Sequence, residues 1–331
     1  MIVRLRLLRS FSHGWPRRSA VRSFRARGRH GLSVLRGLVG AGLLVCPAWA
    51  GGLRVASLNL CTDQLALMLV NPADIVGLSP LARDCTESVL CVQARSVPVL
   101  RPTAEAVLTA QPDVVLAGDY TARLAVMAAR QTGAVVVTTA PARSLEDVVE
   151  QIRRVGRAVG QPERAENLAH ALEMRLAALP RARNASSPVA AVYEANGFVV
   201  REGSLADDVL ARAGLRNFVS TAEAGCCHAR LPLERLLLAH PDLLVRDVSG
   251  PGYSLAQAML DSPVLARAFP PPHVVAVPAR LWLCGLPQTL DAVTILQNAR
   301  EQLASAGGRQ PSDTQDTMPS RQEPMTMEKT R

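Results

Sequence analysis

The segment TAEAVLTAQPDVVLAG (103–118) has a counterpart in PLERLLLAHPDLLVR (232–246), 129 residues further on. Glu105 corresponds to Glu234, Leu108 to Leu237, Ala110 to Ala239, Pro112 to Pro241 and Asp113 to Asp242. In each copy an apolar pattern of helical period stops at a proline, which cannot continue a helix. A short apolar run follows and reads as a buried strand. A helix, a Pro-Asp break and a strand, once in each half, predict two similar α/β lobes. The aspartate after the proline reads as a turn cap. The two glutamates fall on helix faces.

Working outward, RVASL (54–58), ADIVGLS (73–79), DVVLAG (113–118) and AVVVTT (134–139) are strands in the first half. Helices at QLALMLV (64–70), capped from Asn59 onward, at 103–110 and at 121–133 separate them. In the second half VAAVYE (189–194), DLLVRD (242–247) and HVVAVP (273–278) alternate with helices at 204–215, before Pro241, and at 287–308. Short apolar strands alternating with helices imply parallel sheets covered on both faces. Between the halves, 144–160 and 162–179 are helical, with Ser144 as a cap and Pro162 in a first turn. The expected organisation is an N-terminal lobe (51–143), a connecting helical segment (144–183) and a C-terminal lobe (184–306). A ligand cleft is expected between the lobes.

The chain ends change the meaning of the net charge of +9. Residues 1–50 hold ten arginines and no acid, then an apolar run ending in Ala48-Trp49-Ala50. This is the pattern of a cleavable signal peptide, cut near Ala50, and it predicts an exported protein. Without it, 27 basic residues face 28 acidic ones, and no basic patch argues for a nucleic acid. Residues 307–331 are polar and without apolar period, and read as a disordered tail. Six cysteines remain, an even number in an exported chain, which points to disulfides. Cys85 and Cys91 are close enough in sequence to staple one loop. The pairing of Cys61, Cys226, Cys227 and Cys284 stays open.

No nucleophile elbow, P-loop or H-E-x-x-H motif occurs, so no catalytic residue is assigned and the protein is not read as an enzyme. His170, His240 and His273 read as surface positions, and no metal site or cofactor is assigned. AGCCHARLP (224–232) sets Cys226, Cys227 and His228 side by side. A soft-metal chaperone using these three is the reading from another class, beside a secreted α/β enzyme. Intact disulfides there would exclude the chaperone.

RVASLNLCTDQLALML (54–69), the duplicated E-x-x-L-x-x-x-P-D segment and LWLCGLPQTLDAV (281–293) together resemble the periplasmic substrate-binding proteins of ABC importers. The resemblance spans about 53–305 and is to the helical-backbone class that carries iron–siderophore chelates, haem and vitamin B12. It implies an α/β fold of two Rossmann-like lobes with parallel sheets, joined by a long backbone α-helix. It also implies an iron(III)-siderophore-type chelate or a corrinoid as cargo, with haem as an alternative, and a monomer that meets an ABC permease dimer. Glu105 and Glu234 match the family's two permease-docking glutamates. One carboxylate per lobe suits arginine forks on a two-fold partner. Ligands of open α/β sheets sit at the carboxyl ends of strands. That rule nominates Asn59, Cys61, Thr62, Arg83, Tyr120, Glu202, His228 and Trp282 for the cleft. Tyr120 and Trp282 have rings to stack on a bulky ligand, and Arg83 has a guanidinium for chelate carboxylates.

Overall fold

The duplicated segment folds the same way in both halves of the computed structural model, which describes residues 52–179, 184–220, 230–248 and 255–307. The first half runs β1 (Val55–Ser57), α1 (Leu60–Leu69), β2 (Ile75–Gly77), α2 (Ala104–Ala110), β3 (Val114–Gly118), α3 (Arg123–Gln131) and β4 (Val135–Thr139). Its strands pair in parallel in the order β2-β1-β3-β4. Two helices follow, α4 (Leu145–Ala158) and α5 (Pro162–Ala177). The second half runs β5 (Val189–Tyr193), α6 (Leu205–Arg212), β6 (Arg216–Asn217), α7 (Leu233–Ala239), β7 (Leu243–Val248), α8 (Leu255–Ala258), α9 (Pro263–Ala268) and β8 (Val274–Pro278). Its order, β6-β5-β7-β8, is that of the first sheet, again all parallel. Helix α10 (Thr289–Gly307) closes the fold.

The break in each repeat has a backbone cause. Gln111 (φ 44°) and His240 (φ 42°) occupy the same position and are both left-handed, ending α2 and α7 one residue before proline. The aspartates do more than cap a turn. Asp113 accepts the backbone N–H of Arg54 at 2.8 Å, and Asp242 that of Val189 at 2.7 Å. Each therefore fastens the entry of the neighbouring strand, β1 or β5. Strand β6 and helices α8 and α9 lie where the sequence shows no element, because two to six residues are too few to display a period.

Between the sheets, α4 begins with a reciprocal cap. Ser144 accepts the N–H of Asp147, and the Asp147 carboxylate accepts the N–H of Ser144. Helix α5 folds back on α4. Gly156 allows the close approach, since a Cβ there would lie 2.1 Å from the Cβ of Ala165. Arg153 of α4 clasps Glu166 and Glu173 of α5, each at 2.8 Å. One buried cluster runs from Leu65 and Val114 through Leu145, Val148 and Ile152 to Val192, Val245, Trp282 and Leu296. A single core thus joins both sheets through α4. Among the described residues no helix is long and apolar enough to cross a membrane. The expected signal peptide, the tail beyond Gly307 and Cys226, Cys227 and His228 lie outside the described residues.

Candidate functional site

A cavity of about 620 Å³ opens between the two sheets at the carboxyl ends of their strands. Asn59, Cys61, Asp119 and Tyr120 contribute from the first lobe, and Glu194, Arg201, Trp282 and Cys284 from the second. Strand ends expose backbone groups and short loops, so side chains there face a ligand instead of a neighbouring element.

Asn59 stands two residues beyond β1 and caps α1, its Oδ1 accepting the N–H of Cys61 at 3.0 Å. Its amide lies over Gly118 at the end of β3, where a Cβ would meet Nδ2 at 2.9 Å. Cys61 is disulfide-bonded to Cys284, which lies 223 residues away beyond β8. This bond ties the two lobes together in the wall of the cavity. Beside it, a Cβ on Gly285 would come within 2.5 Å of Val148, so the turn after Cys284 is pressed against α4. Asp208 of α6 accepts the N–H of Leu145, and Arg212 pairs with Glu146. The back of the cleft is therefore closed by covalent, polar and apolar contacts.

Tyr120, in the turn after β3, is 88 % exposed and offers its phenol at the rim. Trp282 is only 7 % exposed and presents an edge of its indole as wall, with its body in the core cluster. Leu283, 52 % exposed, forms the neighbouring apolar surface.

Three other nominated residues lie elsewhere. Thr62 is fully buried, its hydroxyl bonded to the carbonyl of Asn59 at 3.0 Å and to the hydroxyl of Ser57 at 2.8 Å. It braces the β1–α1 turn and does not reach the cavity. Arg83 donates to the carbonyls of Ala94 and Val97, in the segment that follows the loop closed by Cys85–Cys91. It is not among the residues that line the cavity. Glu202 is exposed outside the cavity lining, whereas its neighbour Arg201 is part of it.

Asp119, Glu194 and Arg201 were not singled out from the sequence. All lie within one or two residues of a strand end or of a nominated position, which was the signal available. Glu194 is half-buried, and burial holds its carboxyl above the usual range. Behind the cavity wall, Asp63 of α1 is fully buried and bonds the N–H and hydroxyl of Ser79. Burial pushes its carboxyl up to about 7, against the opposing hydrogen bonds of Ser57 and Ser79.

Glu105 and Glu234 are exposed in the first turns of α2 and α7. The duplication gives each lobe one such carboxylate at the same place in its fold.

Residues 55–268 match the family model for periplasmic binding proteins. Comparison with curated proteins finds no match. Among solved structures, the chain is similar to the periplasmic haem-binding protein RhuT from Roseiflexus sp. RS-1, at 25 % identity and a TM-score of 0.62, covering 77 % of this chain and 100 % of that one. It is similar in fold to the periplasmic vitamin B12 binding protein BtuF of Vibrio cholerae, at 16 % identity and 0.57, over 77 % and 98 % of the two chains. It is likewise similar in fold to an ABC-type Fe3+-hydroxamate transport system protein from Saccharomonospora viridis, at 20 % and 0.55, over 75 % and 93 %. Binding proteins of this family hold small ligands and work with ABC transporter permeases. The chain, with its paired parallel sheets and inter-lobe cavity, belongs to the periplasmic binding protein family.

Proposed function

We propose that the protein is the periplasmic receptor of an ABC importer. It holds a metal chelate, an iron(III) siderophore or a corrinoid with haem as the alternative, between its lobes and presents it to the permease dimer. The observation that carries this reading is the cavity itself. It lies at the carboxyl ends of two equally ordered parallel sheets, it is walled by both lobes, and its volume suits a bulky ligand. The named cargoes of similar solved structures support the class. Docking falls to Glu105 and Glu234, one exposed carboxylate per lobe, which a two-fold partner can engage together.

Thermal unfolding of the purified protein with ferric hydroxamates, haemin, cyanocobalamin and bare Fe or Zn salts tests the reading. A ligand at about 100 times its Kd adds about 2.7 kcal/mol of stability, which is a shift of several degrees. A shift with one of the chelates supports the receptor. A shift confined to bare metal contradicts it.

A further inference from the structure

We propose that Glu194 is a specificity-determining residue of the cleft and selects cargo that presents a positive charge or hydrogen-bond donors over cargo rich in carboxylates. This rests on the receptor reading above. The starting point is strand register. Val55 pairs with Val114 on β3, and Ala190 pairs with Leu243 on β7. Val114 and Leu243 are equivalent in the duplicated segment, so Ala190 stands where Val55 stands, and Glu194 where Asn59 stands. The two residues are the same structural position in the two lobes, and both line the cavity.

Their side chains are used differently. A helix follows Asn59, and the amide oxygen is spent capping it. No α-helix follows Glu194. The chain makes a single turn over Ala195–Gly197 and folds back, so that the Glu194 N–H bonds the carbonyl of Phe198. Glu194 is the N-terminal cap position of this 3-10 turn but its side chain makes no capping bond, and among the described residues no hydrogen bond or ion pair engages the carboxylate. It sits half-buried in a cavity whose lining also includes Val199, Val200 and Leu205, and burial holds its pKa above the usual range. A partly desolvated acceptor without a partner is costly to keep, and a donor supplied by the ligand removes that cost.

The charges around the cavity point the same way. Among the described residues its lining carries two carboxylates, Asp119 and Glu194, and one guanidinium, Arg201. Arg83, bonded to backbone carbonyls, is not part of this lining. A polyanionic chelate would meet net repulsion here. An ammonium or amide group would meet an acceptor already stripped of part of its water.

The test uses ferrioxamine B, a ferric trihydroxamate ending in an ammonium group, and its N-acetylated form, which has the same chelate without that charge. Cyanocobalamin, rich in amide donors, and haemin, with two carboxylates, complete the set. The wild-type protein is expected to bind ferrioxamine B about tenfold more tightly than the acetylated form, and Glu194→Gln to bring that ratio below about twofold. Glu194→Ala is expected to weaken cyanocobalamin about fivefold. Neither substitution should lower the melting temperature of the unliganded protein, since among the described residues the carboxylate makes no hydrogen bond or ion pair to lose. Binding of these probes that Glu194 substitutions leave unchanged overturns the inference alone. So does tightest binding of haemin. Failure of the wild-type protein to bind any of the four overturns the receptor reading and the inference with it.

Discussion

At Asp63, burial outweighs hydrogen bonding. The carboxyl, fully enclosed beside Ser79, titrates at about 7 in the folded protein, against about 3.9 in an unfolded chain. Between those values the native state keeps a proton that the unfolded state has lost. Stability therefore falls as pH rises through this window and levels off above it. Asp63→Asn can keep both contacts to Ser79, as acceptor from its N–H and as donor to its hydroxyl. The variant is predicted to lose this share of the slope, read as melting temperature from pH 4 to pH 8. A variant with the wild-type slope would refute the assignment. The same neighbourhood shows what a sequence conveys at this scale. Asn59, Cys61 and Thr62 are all near a strand end, and their nearness to the cleft was legible. The direction of each side chain was not, because a single step along the helix separates Cys61, which lines the cavity, from Thr62, which braces the turn beneath it. Thr62 points inward, and Arg83 is taken up by carbonyls that no local pattern reveals.

Among the elements, α4 and the Cys61–Cys284 bond decide how far the lobes can separate. Loss of a native disulfide that closes so long a loop costs about 2–5 kcal/mol. Cys61→Ala, Cys284→Ala and the double variant are therefore expected to melt at a similarly lowered temperature, because each removes the same bond. A double variant much less stable than either single one would show that the bond is not the common cause. Gly156→Ala tests the α4–α5 contact. Its new methyl would meet Ala165, and overpacking of this kind costs about 1–3 kcal/mol. An unchanged melting temperature would mean that the helices have room to part. The longer helices, the main strands and their caps were readable because each carries its own period and its own end signals, as at Ser144, Asn59 and Pro162. The Cys61–Cys284 pairing was not, since its partners are brought together only when both sheets and α4 are in place.

For the molecule as a whole, duplication is the fact with the widest consequences. It gives the two sheets one strand order, sets Asn59 and Glu194 at matching corners of the cleft, and leaves Glu105 and Glu234 exposed on matching helices. In a reconstituted importer, Glu105→Lys or Glu234→Lys is predicted to reduce cargo-stimulated ATP hydrolysis about tenfold or more, because the proposed docking sets each carboxylate against a permease cation and the reversal turns that attraction into repulsion. Cargo affinity of the isolated receptor should not change. A loss of affinity would move these glutamates from docking to the fold or the cleft. The central claim, that the inter-lobe cavity is where cargo sits, has a direct optical reporter. In protein prepared from residue 51 onward, which lacks Trp15 and Trp49, Trp282 in the cavity wall is the single tryptophan. The decisive measurement is its fluorescence during titration with ferric hydroxamates, cyanocobalamin and haemin. The account predicts saturable quenching by one of them at one ligand per chain, and emission unaltered by all three at saturating concentrations would contradict it.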